Sequence, residues 1–136
     1  MRHFRRTIIG VALAAFFAAG CSAGRTEAAA DVADEFIRSF FHADYDEAAR
    51  LSTGDVTDRL AETKAMADSL SGDLHDAFME LSAMTRTVRM AVNDVARDSV
   101  SVEYEIVVPY QDAMLYNTVS VVWIDSLKTW KVNGFN

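Results

Sequence analysis

The apolar residues change period after Thr85, and that change limits the fold more than any other feature of the chain. Val88, Met90 and Val92 alternate with Thr87, Arg89 and Ala91. Val100, Val102, Tyr104, Ile106 and Val108 then alternate with Ser99, Ser101, Glu103 and Glu105. Alternation at every second residue is the mark of a strand with one face buried. Leu115 to Ile124 and Thr129 to Phe135 read as two further strands, and the segment from Asn93 to Asp98 reads as a turn. Four successive strands on short connections predict an antiparallel meander. One face of such a sheet has to be covered, and only the segment before it can do so.

That segment has helical spacing. Val32, Ala33, Phe36, Ile37, Phe40 and Phe41 form one apolar face of a helix from about Asp31 to His42, with Asp31, Asp34 and Glu35 in its first turn, where the helix dipole favours acids. Asp44 is placed to cap a short helix from Tyr45 to Ser52, with Glu47 as its capping-box partner. A third helix is expected from Asp55 or Asp58 to Leu70, stopped by Ser71-Gly72. A fourth, Leu74 to Met84, has Asp73 as its cap and Leu74, Ala77, Phe78, Leu81 and Met84 as its buried stripe. The fold class is therefore α+β, with N-terminal helices packed on a four-stranded antiparallel sheet that curves around them.

The first twenty residues are of a different kind. Arg2, Arg5 and Arg6 precede a 13-residue run, Thr7 to Ala19, that is apolar except for Thr7 and Gly10. The run is too short to cross a bilayer core of about 30 Å, and it fits the pattern of a secretory signal peptide. Its end, Ala18-Ala19-Gly20-Cys21, resembles a bacterial lipobox, with Ala18 where Leu is usual. The resemblance implies that Cys21 is lipidated, that residues 1–20 are removed, and that residues 21–30 form a tether to a domain of residues 31–136. Ser22 after the cysteine, in place of Asp, implies the outer membrane, facing the periplasm.

Composition sharpens this division. The chain of 136 residues has 13 Lys and Arg against 20 Asp and Glu, for a charge of −7. Residues 1–20 hold three of the 13 basic residues and none of the acids, so the remaining 116 carry −10. Residues 31–82 alone hold 13 acids and 4 bases. Such a surface is a poor partner for nucleic acid. The single cysteine excludes an internal disulfide and a cysteine-based zinc site. His42 with Asp44 and Asp46, and His75 with Asp73, Asp76 and Glu80, lack the spacing of zinc or calcium motifs, so neither a metal nor a cofactor is expected.

Three segments, in order, resemble the small nuclear-transport-factor-2-like, or cystatin-like and lumazine-binding-like, domains of bacterial lipoproteins of unknown function. They are Phe36-Ile37-Arg38-Ser39-Phe40-Phe41 followed by Asp44-Tyr45-Asp46-Glu47-Ala48-Ala49, then Arg97-Asp98-Ser99-Val100-Ser101-Val102, then Val122-Trp123-Ile124 through Trp130-Lys131-Val132. Together they run from about Asp31 to Phe135, and Arg97 stands where the family has Gly. The resemblance implies a conical cavity, with Phe36, Phe40, Met90, Tyr104 and Trp130 as its expected lining. It also implies a non-enzymatic binding role, for a small apolar ligand in the cone or a protein partner on the sheet face, and homodimerisation through that face. The membrane is the further partner, through Cys21.

Catalytic members of the wider superfamily pair an Asp base with a Tyr or His acid. Tyr45, Tyr104, Tyr110, Tyr116, His42 and His75 are the residues that would serve here. The inward face of the second strand holds no acid, so no catalytic residue is assigned. The alternative is a small isomerase, dehydratase or hydrolase, and it needs an inward carboxylate near Tyr104 or Tyr45. His42, at a helix end, suits a capping role. Trp123 is left open between an inward and an outward setting.

Overall fold

A computed structural model describes residues 23–136. The expected signal peptide, residues 1–20, and Cys21, the expected lipidation site, lie outside the described residues. Four helices precede four strands: α1 (residues 23–41), α2 (Tyr45–Arg50), α3 (Asp55–Asp68), α4 (Gly72–Met84), β1 (Arg86–Ala96), β2 (Ser99–Val107), β3 (Leu115–Ile124) and β4 (Thr129–Phe135). The sheet is an antiparallel meander in the order β1-β2-β3-β4.

The largest departure from expectation is at the start. Residues 23–30 are helical rather than a tether, and Ala29 and Ala30 are fully buried. Ala28-Ala29-Ala30 has the highest helix propensity of any tripeptide, and side chains this small let the helix lie close against the sheet. Asp31, Asp34 and Glu35 consequently sit inside the helix, where ion pairing rather than the dipole decides their role.

α1 ends in a Schellman turn. The Ala43 N–H donates to the Phe40 carbonyl at 3.1 Å and the Asp44 N–H to that of Ser39 at 2.8 Å. Ala43 takes φ 62°, a left-handed conformation normally given to glycine. Ala43→Gly is therefore expected to stabilise the fold by about 1 kcal/mol, read as a higher urea midpoint with unchanged slope.

Asp44 caps α2 as expected, accepting from the Glu47 N–H at 3.3 Å. The Glu47 carboxylate turns forward instead of back, and takes Arg50 Nε–H at 3.0 Å. That bond, aided by Glu35, holds its carboxyl down at about 2. The stabilisation from the Glu47 ion pair is thus complete above the ordinary carboxylate range and is lost as pH falls through about 2, which carboxyl NMR titration will read directly.

Beyond α2 the chain is pinned to β4. The Val132 N–H donates to the Leu51 carbonyl at 2.8 Å, and the Thr53 N–H donates to the Val132 carbonyl at 2.9 Å. This short parallel bridge covers an otherwise open sheet edge. Gly54 (φ 62°, ψ −134°) then redirects the chain into α3 through a backbone region that side chains avoid.

The core is built by Phe36 and Ile37 of α1 against Val100, Val102 and Ile106 of β2, Val119 and Val121 of β3 and Val132 of β4, all at most 1% exposed. Phe135 closes one end, with its ring 5.5 Å from Phe36 and 4.7 Å from Phe40. α4 contributes less than its pattern implies. Phe78 and Leu81 are half-buried, while Leu74 and Met84, at its two ends, are exposed. The longer α1 already covers the inner face of the sheet that α4 was expected to share.

β1 carries a bulge that resets its faces. Arg89 lies opposite Tyr104, Ala91 opposite Glu103, and Met90 is the extra residue between them. Before the bulge, Thr87 and Arg89 point inward and Val88 points outward. After it, Val92 returns to the core opposite Val102. Met90, expected on the inner face, is 56% exposed. A bulge at Asn133 of β4 lets Phe135 share the inner face with Val132. Trp123 also points inward, edge-on to Trp130 at 5.5 Å, which puts Val122 and Ile124 on the outer face.

Candidate functional site

The chemistry of the domain is concentrated where α1 crosses β1 and β2. Glu27, Asp31, Asp34, Arg38 and His42 follow one another along α1 at steps of four, three, four and four, which makes a single polar stripe. Its N-terminal part is acidic and its C-terminal part basic.

Arg89 engages the acidic part. Its Nε–H donates to Asp34 Oδ1 at 3.1 Å and its Nη2–H to Asp34 Oδ2 at 2.6 Å, a fork-to-fork pair. Nη1 reaches Glu27 at 3.1 Å and Nη2 reaches Asp31 at 3.4 Å. From β2, the Tyr104 hydroxyl donates to Asp34 Oδ1 at 2.6 Å. Tyr104 is 2% exposed. Burial first, and then the anionic Asp34 that receives its proton, push the phenol well above its ordinary value of 10. The hydrogen bonds that Arg89 donates to Asp34 likewise hold its guanidinium charged.

These shifts set a pH window. A phenol whose folded-state pKa is raised stabilises the fold fully below 10 and loses that contribution as pH rises through the folded value. Tyr104, and Tyr45 through its own burial, are thus expected to ionise later than free tyrosine in an ultraviolet alkaline titration. Tyr104→Phe removes its own share of the late-ionising component and leaves that of Tyr45.

The basic part of the stripe opens on a cleft of about 390 Å³, with Asp34, Arg38 and His42 from α1 on one side and Thr87, Arg89 and Tyr104 from the sheet on the other. Thr85 and Arg86, at the α4–β1 junction, complete its rim. His42 Nε2–H donates to the Thr85 carbonyl at 3.0 Å, so the imidazole braces this junction in addition to standing at the end of α1. The Thr85 hydroxyl donates back to the Leu81 carbonyl at 2.9 Å and holds the end of α4.

Of the expected lining residues, only Tyr104 reaches this cleft. Phe36 is packed into the core. Phe40 borders a separate space of about 50 Å³ with Phe135 and Leu60, room for little more than a water molecule. Trp130 stands at the far end of the sheet, beside Trp123, Arg25 and Arg97. Met90 points to solvent. Tyr110 and Tyr116 are exposed, and His75 lies with Asp44, Asp46 and Lys64 in a different groove. Among the described residues no group of three or more His, Cys, Asp or Glu could hold a metal. The acids gathered on α1 are occupied by Arg89 instead.

Asp34, Arg38 and Arg89 were not singled out by the strand and helix patterns. The i, i+4, i+7 run of charges along α1 is the signal that could have found the first two. The inward arginine was hidden by the bulge. No helix among the described residues is long and apolar enough to cross a membrane. The chain matches no family model, no curated protein and no solved structure.

Proposed function

We propose that the chain is a lipid-anchored cell-envelope protein whose one domain, of nuclear-transport-factor-2-like type with its sheet curved into a cone, binds a small ligand between α1 and β1 without transforming it. The observation that carries the binding role is the polar cleft beside the Asp34–Arg89–Tyr104 cluster. The anchor is supported by Arg2, Arg5 and Arg6, the apolar run and Ala18-Ala19-Gly20-Cys21. An outer-membrane position facing the periplasm follows from Ser22.

The cleft favours a polar ligand over the apolar one implied by the resemblance, because aromatic rings of Phe36, Phe40 and Phe135 fill the core where an apolar ligand would lie. The outer face of β2 and β3 presents Ser101, Glu103, Glu105, Thr118 and Ser120. The middle of that face suits a hydrophilic contact, while Tyr116, Val122 and Ile124 toward the ends of β3 and Val88 and Met90 on β1 are its apolar part.

A pocket enzyme is the second reading, because Asp34 supplies the carboxylate near Tyr104 that such chemistry requires, at 2.6 Å. Both groups are nonetheless committed. Arg89 takes both oxygens of Asp34, and the phenol proton is held by burial and by Asp34. The Asp34 oxygens are thus already occupied by donors, and a phenol so placed is a weak acid. The cluster is better suited to fixing the cleft wall.

The experiment is to express the full chain in a bacterial host with and without globomycin, and to purify it from membranes for mass spectrometry. Accumulation of the unprocessed chain with globomycin and loss of acylation in Cys21→Ser are expected, together with a small polar molecule that co-purifies. Processing unaffected by either change would remove the anchor from the proposal. A chain that binds neither charged nor neutral small molecules would remove the binding role.

A further inference from the structure

Building on the binding role just proposed, we infer that the cleft selects a small oxyanion, a carboxylate or a phosphate, which Arg38 and Arg86 hold at its mouth. The motive is an imbalance of charge. The chain beyond residue 20 has twice as many acids as bases, and Arg25, Arg50, Arg89, Lys64 and Lys128 each have a carboxylate partner. Arg38 and Arg86 form no ion pair among the described residues, yet both line the same cleft. Arg59, Arg97 and Lys131 also form no ion pair among the described residues, but they lie apart, whereas Arg38 and Arg86 share one cleft.

Helix dipoles do not account for the surplus. The C-terminal ends of α1 and α4 converge here, and each carries about half a negative charge. Among the described residues Asp34 is the only acid lining the cleft, and it shares Arg89 with Glu27 and Asp31, which do not line it. Arg38 and Arg86 thus bring two positive charges against about one from the two helix ends. Among the lining residues alone the balance is positive, and it sits in a concave site where low-dielectric walls focus it. Guanidinium groups present flat, paired N–H donors that match carboxylate and phosphate oxygens. The Thr87 hydroxyl, on the inner face of β1, is a further donor on the cleft wall. Arg89 belongs to the support and not to the ligand set, since all three of its nitrogens already serve carboxylates on α1.

The test is isothermal titration of the full chain, purified as processed, with inorganic phosphate and with citrate, the two arms separating phosphate from carboxylate as the preferred class. Saturable binding of at least one is expected, and it should weaken as salt is raised. Arg38→Gln and Arg86→Gln should each weaken it by about tenfold or more. Arg86→Lys, which keeps the charge, should restore part of the loss. Arg97→Gln, at a different groove, should change nothing. Thermal melts of each variant verify folding, and Arg86→Lys keeps the comparison usable if a glutamine variant melts early. Anion binding undiminished in the Arg38→Gln/Arg86→Gln double variant would overturn the inference. So would failure of both anions while a neutral polyol of similar size binds, a result that leaves the binding role standing. If anions and neutral molecules all fail to bind, both readings fall.

Discussion

Arg89→Ala is expected to cost about 2–4 kcal/mol, the lower range for breaking a partly buried ion pair. The loss should appear as a fall in the urea midpoint. The cause is the carboxylate left behind: Asp34 would keep the Tyr104 bond but lose both guanidinium bonds, beside two further acids at Glu27 and Asp31. Five groups that act together should not be additive. In a double-mutant cycle, Asp34→Asn in the Arg89→Ala background should cost much less than in the parent chain. Equal costs in both backgrounds would mean that the pair is only a surface contact. Tyr104→Phe should be milder, at about 1–2 kcal/mol, because it removes one donor and leaves the salt bridge in place.

Phe36→Ala should be the most damaging single change, at about 3–5 kcal/mol. Phe36 is fully buried and lies at 6.5 Å from the Phe40 ring and 5.5 Å from that of Phe135. Removing it would open a void that rigid aromatic neighbours and β-branched valines are slow to fill. Phe36→Leu should recover more than half of the loss. Since α1 carries both Phe36 and the polar stripe, the same variant should loosen the cleft as well as the core. A thermal melt combined with near-ultraviolet dichroism would register both effects.

Much of this architecture was legible in the chain. The alternation in β2 held with Val100, Val102, Tyr104 and Ile106 all inward: Val100, Val102 and Ile106 meet apolar partners on β3, and Tyr104, between Arg89 and Asn117, is bonded to Asp34 of α1. The bounds of β3 and β4 were legible for the same reason, and the Asp44 cap because its chemistry is local. β1 was not, since period-two alternation carries no information about a bulge, and the side chain that reaches inward there is an arginine. Only the three-dimensional approach of Glu27, Asp31 and Asp34 makes that position favourable for a guanidinium. The start of α1 was missed for the opposite reason: residues 23–30 are small, and small residues read equally well as a linker until something buries them. The acid near Tyr104 came from a helix and not from the strand that bears the tyrosine, so inspecting the strand alone could not reveal it.

The central claim joins an anchored N-terminus to an anion-selective cleft on the same domain. The measurement that tests it most directly is native mass spectrometry of the full chain extracted from the membranes of its own host. The account predicts a chain that begins at an acylated Cys21 and carries one small anionic molecule, which the Arg38→Gln/Arg86→Gln variant loses. A chain that retains residues 1–20 without acylation, or a variant that keeps the same bound molecule, would contradict it.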